Sequence, residues 1–168
     1  AVLLASQPLI QPDELIVGSR LTRVESREPL NLGFYDPHYP PGYALLLQEG
    51  FPGIRDLARQ QLQEESDPSR RDFLLGVEQA YDAAIGYILK HSNLATRLAA
   101  NEQNRQRAEE LKHIAEICMS LAEGPPHSFH GALQLVQFVR VFGGVGCIGR
   151  FDQWMYPFYR RDLTEGRL

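Results

Sequence analysis

Residues 147–168 read CIGRFDQWMYPFYRRDLTEGRL. Arg150 and Asp152 flank Phe151, and four more aromatics follow within eight residues. The pattern predicts a helix starting near Phe151. Asp152 stands in its first turn, where the helix dipole favours a carboxylate. Asp152, Tyr156 and Tyr159 recur at four- and three-residue steps and so share one face. Such a face is expected to pack, with its hydroxyls hydrogen-bonded. Pro157 should kink or restart the helix, because proline lacks the N–H and crowds the preceding turn.

The next element upstream asks what this aromatic segment packs against. Ser128 can cap a helix over 129–142, since its hydroxyl can accept a free first-turn N–H. Leu133, Leu135, Val136, Phe138, Val139, Val141 and Phe142 cover nearly all of its sides. A helix that is apolar all round belongs inside something larger. The expectation is that further chain or another subunit covers 129–142 and Trp154. Gly143-Gly144-Val145-Gly146 ends this helix. It lacks the preceding strand and the Lys-Ser/Thr pair of a phosphate loop, so it is read as a tight bend.

Four further helices are predicted. One runs from Gly42 to Glu49 and closes at Gly50, and another starts at Pro52, which suits a first helical turn. Asp67 and Pro68 fit the cap and first position of a long helix with Phe73, Val77, Ala80, Tyr81, Ala84 and Ile88 on one side. Gly76 and Gly86 lie inside it at a cost in propensity, which suggests close packing. A later helix carries Leu111, Ile114, Ala115, Cys118 and Leu121 on one face and stops at Gly124-Pro125-Pro126. Asp13-Glu14-Leu15-Ile16-Val17-Gly18 follows a turn signal and is predicted as a strand. Residues 21–40, with Pro29, Pro37 and Pro40, read as loop.

Composition narrows the function classes. With 168 residues the chain can form one domain with a real core. Its net charge of −4 argues against nucleic-acid binding, which favours a basic patch. No apolar run approaches the roughly 20 residues of a membrane helix. The two cysteines are far apart without CxxC spacing, which points to a reduced, cytoplasmic protein without a zinc site.

Candidate chemistry is sparse. Glu110 and His113 have the ExxH spacing of carboxylate-bridged metal bundles, but such sites need two copies and two more glutamates. His127 and His130 lack a third ligand in sequence. No metal site is therefore expected. Cys147 lies near Arg150, and a guanidinium favours a thiolate, but no base adjoins it. Asp36-Pro37-His38-Tyr39-Pro40 sets polar and aromatic groups in a proline-stiffened loop, a setting that suits a binding site and a structural turn equally.

The segment from Gly149 to Leu168 resembles the "GRxDQYxYPYYxxDxxxG" block of glycyl radical enzymes of the pyruvate formate-lyase-like type. Upstream blocks agree in order. Residues 12–20, PDELIVGSR, resemble an early "DELIVGN" strand. Residues 42–54, GYALLLQEGFPGI, are similar to a "DYxxVLxxGLxGI" helix and turn. Residues 108–138 resemble "ELLxIAxxCxxVPxxPPxTFxEALQxxWF". The resemblance implies a mainly α chain with a few short strands, the N-terminal part of the family's α/β barrel. Residues 1–168 would form its partial, helical portion.

The resemblance also implies chemistry that other parts of such an enzyme supply. A separate iron–sulfur activase using S-adenosylmethionine makes the glycyl radical, a cysteine relays it, and a bond of a small organic substrate breaks. Shielding a radical from oxygen implies anaerobic metabolism. The family's "GCxE"-like cysteine loop and "RVxGY"-like glycine loop do not occur in these residues. The chain alone is thus expected to be inert and to hold no cofactor or catalytic residue. Cys147 belongs to the GRFDQ block and is not the radical cysteine.

Site residues carry over sparsely. His38 falls on a "GHxxxxY" histidine of diol-dehydratase-like members, which would bind a substrate hydroxyl or carboxylate. Gly144 and Val145 stand where those members have His-Ser, which disfavours glycerol or propanediol. Arg150, Asp152, Gln153 and Tyr156 match the family block as structural support of the core. Gly131 replaces the glutamate of "TFxEALQ", so a capping box with Ser128 is lost. The connection from Arg20 to Asn31 is shorter than in the family. Implied partners are the remainder of the barrel or another subunit, the activating enzyme and a second copy of the chain. The competing expectation is a non-catalytic helical scaffold or binding module derived from the family.

Overall fold

The structure is a computed structural model that describes residues 7–18, 40–143 and 147–168. The described residues form five helices: α1 (Tyr43–Glu64), α2 (Pro68–Asn101), α3 (Arg105–Glu123), α4 (Phe129–Gly143) and α5 (Phe151–Thr164). His38 and most of the expected loop over 21–40 lie outside the described residues, as do Gly144 and Val145.

Helix α1 is two helices joined at Gly50, whose backbone is non-helical at φ 68° and ψ 177°. The break falls where the sequence puts it, and Pro52 sits in the first turn beyond it. A side chain cannot replace this glycine's hydrogen. A Cβ there would lie 2.7 Å from the backbone of Gly124 and 2.8 Å from the nitrogen of Pro125. The kink therefore lets α1 touch the turn that ends α3.

Asp67 caps α2 by accepting the Arg70 N–H at 3.0 Å, with Pro68 in the first turn. The long helix packs chiefly on α3 and α1. Only its second half is in the core, with Ala84, Ile88, His91, Ala95 and Ala99 buried. Its first half lies along the later part of α1 with its outer side in solvent, and Phe73 is 69% exposed. Gly76 faces open space rather than a close neighbour. Arg55 and Arg59 of α1 bind Glu78 and Asp82 of α2 across the gap.

Helix α4 is the centre of the molecule. Ala132, Leu135 and Phe138 are inaccessible, and Arg140 is the one exposed residue over 129–142. The expectation that foreign chain must cover α4 is therefore overturned. Residues 7–18, α1, α2, α3 and α5 do so. Phe138 and Phe142 meet Tyr87 edge-on at 6.4 and 5.6 Å, and Phe142 meets Phe51 at 5.7 Å.

The fold-class expectation needs correction. No strand, sheet or barrel occurs among the described residues, and the architecture is all helical. Residues 13–18 have no paired strand neighbour among the described residues. Side chains from two helices satisfy their backbone instead. Gln134 of α4 accepts the Val17 N–H and donates to the Val17 carbonyl, both at 2.7 Å. Gln137 donates to the Gly18 carbonyl at 3.3 Å, and His130 Nε2 meets the Leu15 carbonyl at 3.1 Å. Arg107 of α3 donates to the carbonyls of Gln11 and Glu14 at 2.9 and 3.0 Å. The short apolar run Leu15-Ile16-Val17 reaches the core at its end, where Val17 is inaccessible. The hydrogen-bonding that defines a strand is absent.

Candidate functional site

Helix α5 carries the block that decided the sequence reading, and its two faces differ. Inward, Trp154 stacks on Tyr43 at 4.7 Å, Phe151 meets Trp154 edge-on at 4.9 Å, and Met155 is buried. Pro157 sits inside one continuous helix, so the helix does not restart there. Outward, Arg150 and Asp152 make an exposed ion pair at 3.5 Å, Gln153 is exposed, and Tyr156 is 56% exposed. An ion pair so exposed contributes little to stability. All four matched residues thus stand together on the surface of this chain.

One buried group of the block was missed by sequence reasoning. Asp162 is almost inaccessible and accepts the Phe129 N–H at 2.7 Å, at the start of α4. Ser128 Oγ accepts the Gly131 N–H at 3.0 Å. The lost capping box is thus replaced, with α5 supplying the carboxylate that the helix dipole favours. Burial alone would raise the Asp162 pKa. Hydrogen bonds from Arg167 and from Phe129 outweigh it and hold the carboxyl below its usual range. The signal available in sequence was position: Asp162 is the aspartate of "YPYYxxD".

The start of α4 opens on a hollow of about 530 Å³ lined by Leu15, Ile16, Phe129, Leu133 and other apolar atoms, with His113, His130, Asp162 and Arg167 among them. His113 and His130, from two separate sequence motifs, meet edge-on at 5.2 Å. Burial lowers the His130 pKa, the Leu15 carbonyl opposes this, and His113 lowers it further. Glu110 turns instead to Arg107 at 2.9 Å. Among the described residues no three metal-ligating groups converge.

The cysteines are both free. Burial pushes the Cys118 thiol up to about 12, which keeps it protonated and inert. Cys147 is half-buried. Its neighbour Tyr43 is buried with a hydroxyl that has no partner among the described residues. Burial and then Cys147 raise the Tyr43 pKa, while Arg140 acts to lower it. His91 is a second buried polar group: Nδ1 meets the Tyr87 carbonyl at 3.2 Å and Nε2 has no partner among the described residues.

Comparison with known proteins gives these surfaces a context. A family described as pyruvate formate lyase-like matches residues 35–168. The chain is 36% identical over 140 residues to the isethionate sulfite-lyase of Nitratidesulfovibrio vulgaris, covering 75% of this chain and 17% of that protein. It is 35% identical over 142 residues to the (2S)-3-sulfopropanediol dehydratase of Klebsiella oxytoca, with 78% and 17% covered. A crystal structure of a glycyl radical enzyme from Archaeoglobus fulgidus superposes with a TM-score of 0.71 at 32% identity, over 78% of this chain and 18% of that one. The chain thus spans about a sixth of the length of these curated relatives (17% of each).

Proposed function

The chain belongs to the pyruvate formate lyase-like family, and from that membership we propose that it is the N-terminal portion of a glycyl radical lyase or dehydratase. In this proposal residues 1–168 are one partial catalytic domain, and the whole protein acts on a small organic substrate. The observation that carries it is agreement of family, order and fold along one stretch. The match runs over 35–168, and the relatives that share it include a sulfite-lyase and a dehydratase.

The radical chemistry is assigned to other parts of the protein. When present, a glycyl radical supplies the one-electron chemistry that starts bond cleavage. These residues do not fit the iron–sulfur cluster of an activase. Cys118 is sealed in the core with its thiol held protonated, and Cys147 alone cannot ligate a cluster. The proposal gives the cluster to a separate activating protein. The described residues hold the framework: α4 is enclosed, α5 is clipped to its start by Asp162, and residues 7–18 are strapped on by Gln134. His38 is proposed to face substrate, and the protein is proposed to work in the cytoplasm of an anaerobic cell. Among the described residues no helix is long and apolar enough to cross a membrane.

A non-catalytic helical module is the second reading, and one observation favours it: the chain encloses its own central helix. Electron paramagnetic resonance separates the two. The purified native gene product is incubated without oxygen with S-adenosylmethionine and a reduced radical activase from the same cell. A carbon-centred radical signal supports the enzyme, and none across repeated activations supports the module.

A further inference from the structure

Taking the chain as the N-terminal portion of a glycyl radical enzyme, on which this inference rests, we propose that the outer face of α5 is the docking surface for the remainder of that enzyme. Three observations converge on it. Tyr156, Tyr159 and Leu163 are 56%, 43% and 54% exposed and recur at three- and four-residue steps, so they form one apolar stripe. A stripe of this kind on solvent costs hydration free energy that a partner surface would recover. Tyrosine and arginine are also the residue types that anchor protein interfaces.

The second observation is charge. Beside the stripe lie Arg160 and Arg161, in a protein whose net charge is −4. With Tyr156, Pro157, Thr164 and Glu165 they line a shallow hollow of about 410 Å³. Arg161 leans over Phe158 at 5.4 Å and reaches Asp162 at 3.9 Å, whereas Arg160 has no ion-pair partner among the described residues. The occupant should therefore present carboxylates around an apolar centre.

The third observation decides between occupants. The relatives hold about six times as much chain as is matched here (17% of each). Within the family block, Arg150, Asp152, Gln153 and Tyr156 all stand at the surface of this chain.

Tyrosine side-chain footprinting by oxidative labelling tests the assignment without any substitution. The 168-residue chain and the native gene product are labelled side by side, and Tyr156 and Tyr159 are read by peptide mass spectrometry. The expected result is strong labelling in the short chain and a severalfold loss in the native product, with Phe73 labelled alike in both. If a longer native product carrying a glycine-radical loop labels Tyr156 and Tyr159 as strongly as the short chain does, the docking surface is wrong while the functional proposal stands. Concentration-dependent protection within the short chain alone overturns the assignment in favour of a second copy. A native product without further chain overturns both. As a second arm, Tyr159→Glu in the long product should restore Tyr156 labelling, and Phe73→Glu should not.

Discussion

Gln134 satisfies both backbone groups of Val17 from a helix, doing with one side chain what a strand neighbour does with its main chain. Replacing it by leucine keeps the volume and leaves a buried N–H and C=O unpaired. Gln134→Leu should therefore destabilise the protein by about 1–3 kcal/mol. It should also speed hydrogen exchange at the Val17 amide. Unchanged exchange would show that the strap is held by Ile10 and Val17 packing alone. A second contrast lies in two glycines. Gly50→Ala meets backbone at 2.7 Å in a conformation side chains rarely adopt, and should cost at least about 1–3 kcal/mol. Gly76→Ala meets nothing and should add about 0.5–1 kcal/mol. Urea unfolding reads both.

His91 adds a pH dependence with a definite sign. Burial lowers its pKa, and the Tyr87 carbonyl and Glu14 only partly oppose this. The unfolded chain thus takes up a proton that the folded chain resists. The stability His91 contributes is complete above the unfolded value of about 6.5 and is lost as pH falls below it towards the folded value. His130 is shifted the same way. The urea midpoint should drop between about pH 7.5 and about pH 5.5, and His91→Leu should shrink that drop. An equal drop in the variant would assign the effect elsewhere.

At the scale of elements, α4 and α5 depend on one another. Asp162 closes the start of α4 from the far end of α5 and is itself held by Arg167. Asp162→Ala should cost about 1–3 kcal/mol, because it leaves the Phe129 N–H unpaired in a part-buried site. Asp162→Glu should recover little, since the longer side chain cannot keep the 2.7 Å contact without moving α5. Thermal unfolding of the two variants checks both expectations.

Helices were legible in sequence where caps and breaks are local. Asp67 with Pro68, Gly50 with Pro52, and Ser128 each sit where the structure uses them. The strand was not legible. A short apolar run reports burial, and Val17 is indeed buried, but hydrogen-bond partners come from residues more than a hundred positions away. Asp162 was missed for the same reason, since its partner lies 33 residues upstream. The outward turn of Arg150, Asp152, Gln153 and Tyr156 depends on which side of α5 meets Tyr43, and helical period alone gives the faces without saying which is inner.

For the whole molecule, enclosure of α4 moves the exposed apolar surface. A missing-core account puts it at residues 129–142 and Trp154, yet the apolar side chains there are covered or half-buried. The exposed large apolar side chains include Tyr156, Tyr159 and Leu163 on α5 and Phe73 on α2. The 168-residue chain should accordingly fold cooperatively by itself. Hydrophobic-dye binding should fall in Tyr159→Glu and stay unchanged in Val141→Thr, a change at a half-buried position of α4. The central claim is that this framework serves a glycyl radical enzyme whose chemistry lies in other sequence. The most direct test is the intact mass and sequence of the native gene product. The account predicts a chain several times longer than 168 residues that ends in an RVxGY-like glycine loop, whereas a product closing near Leu168 would contradict it.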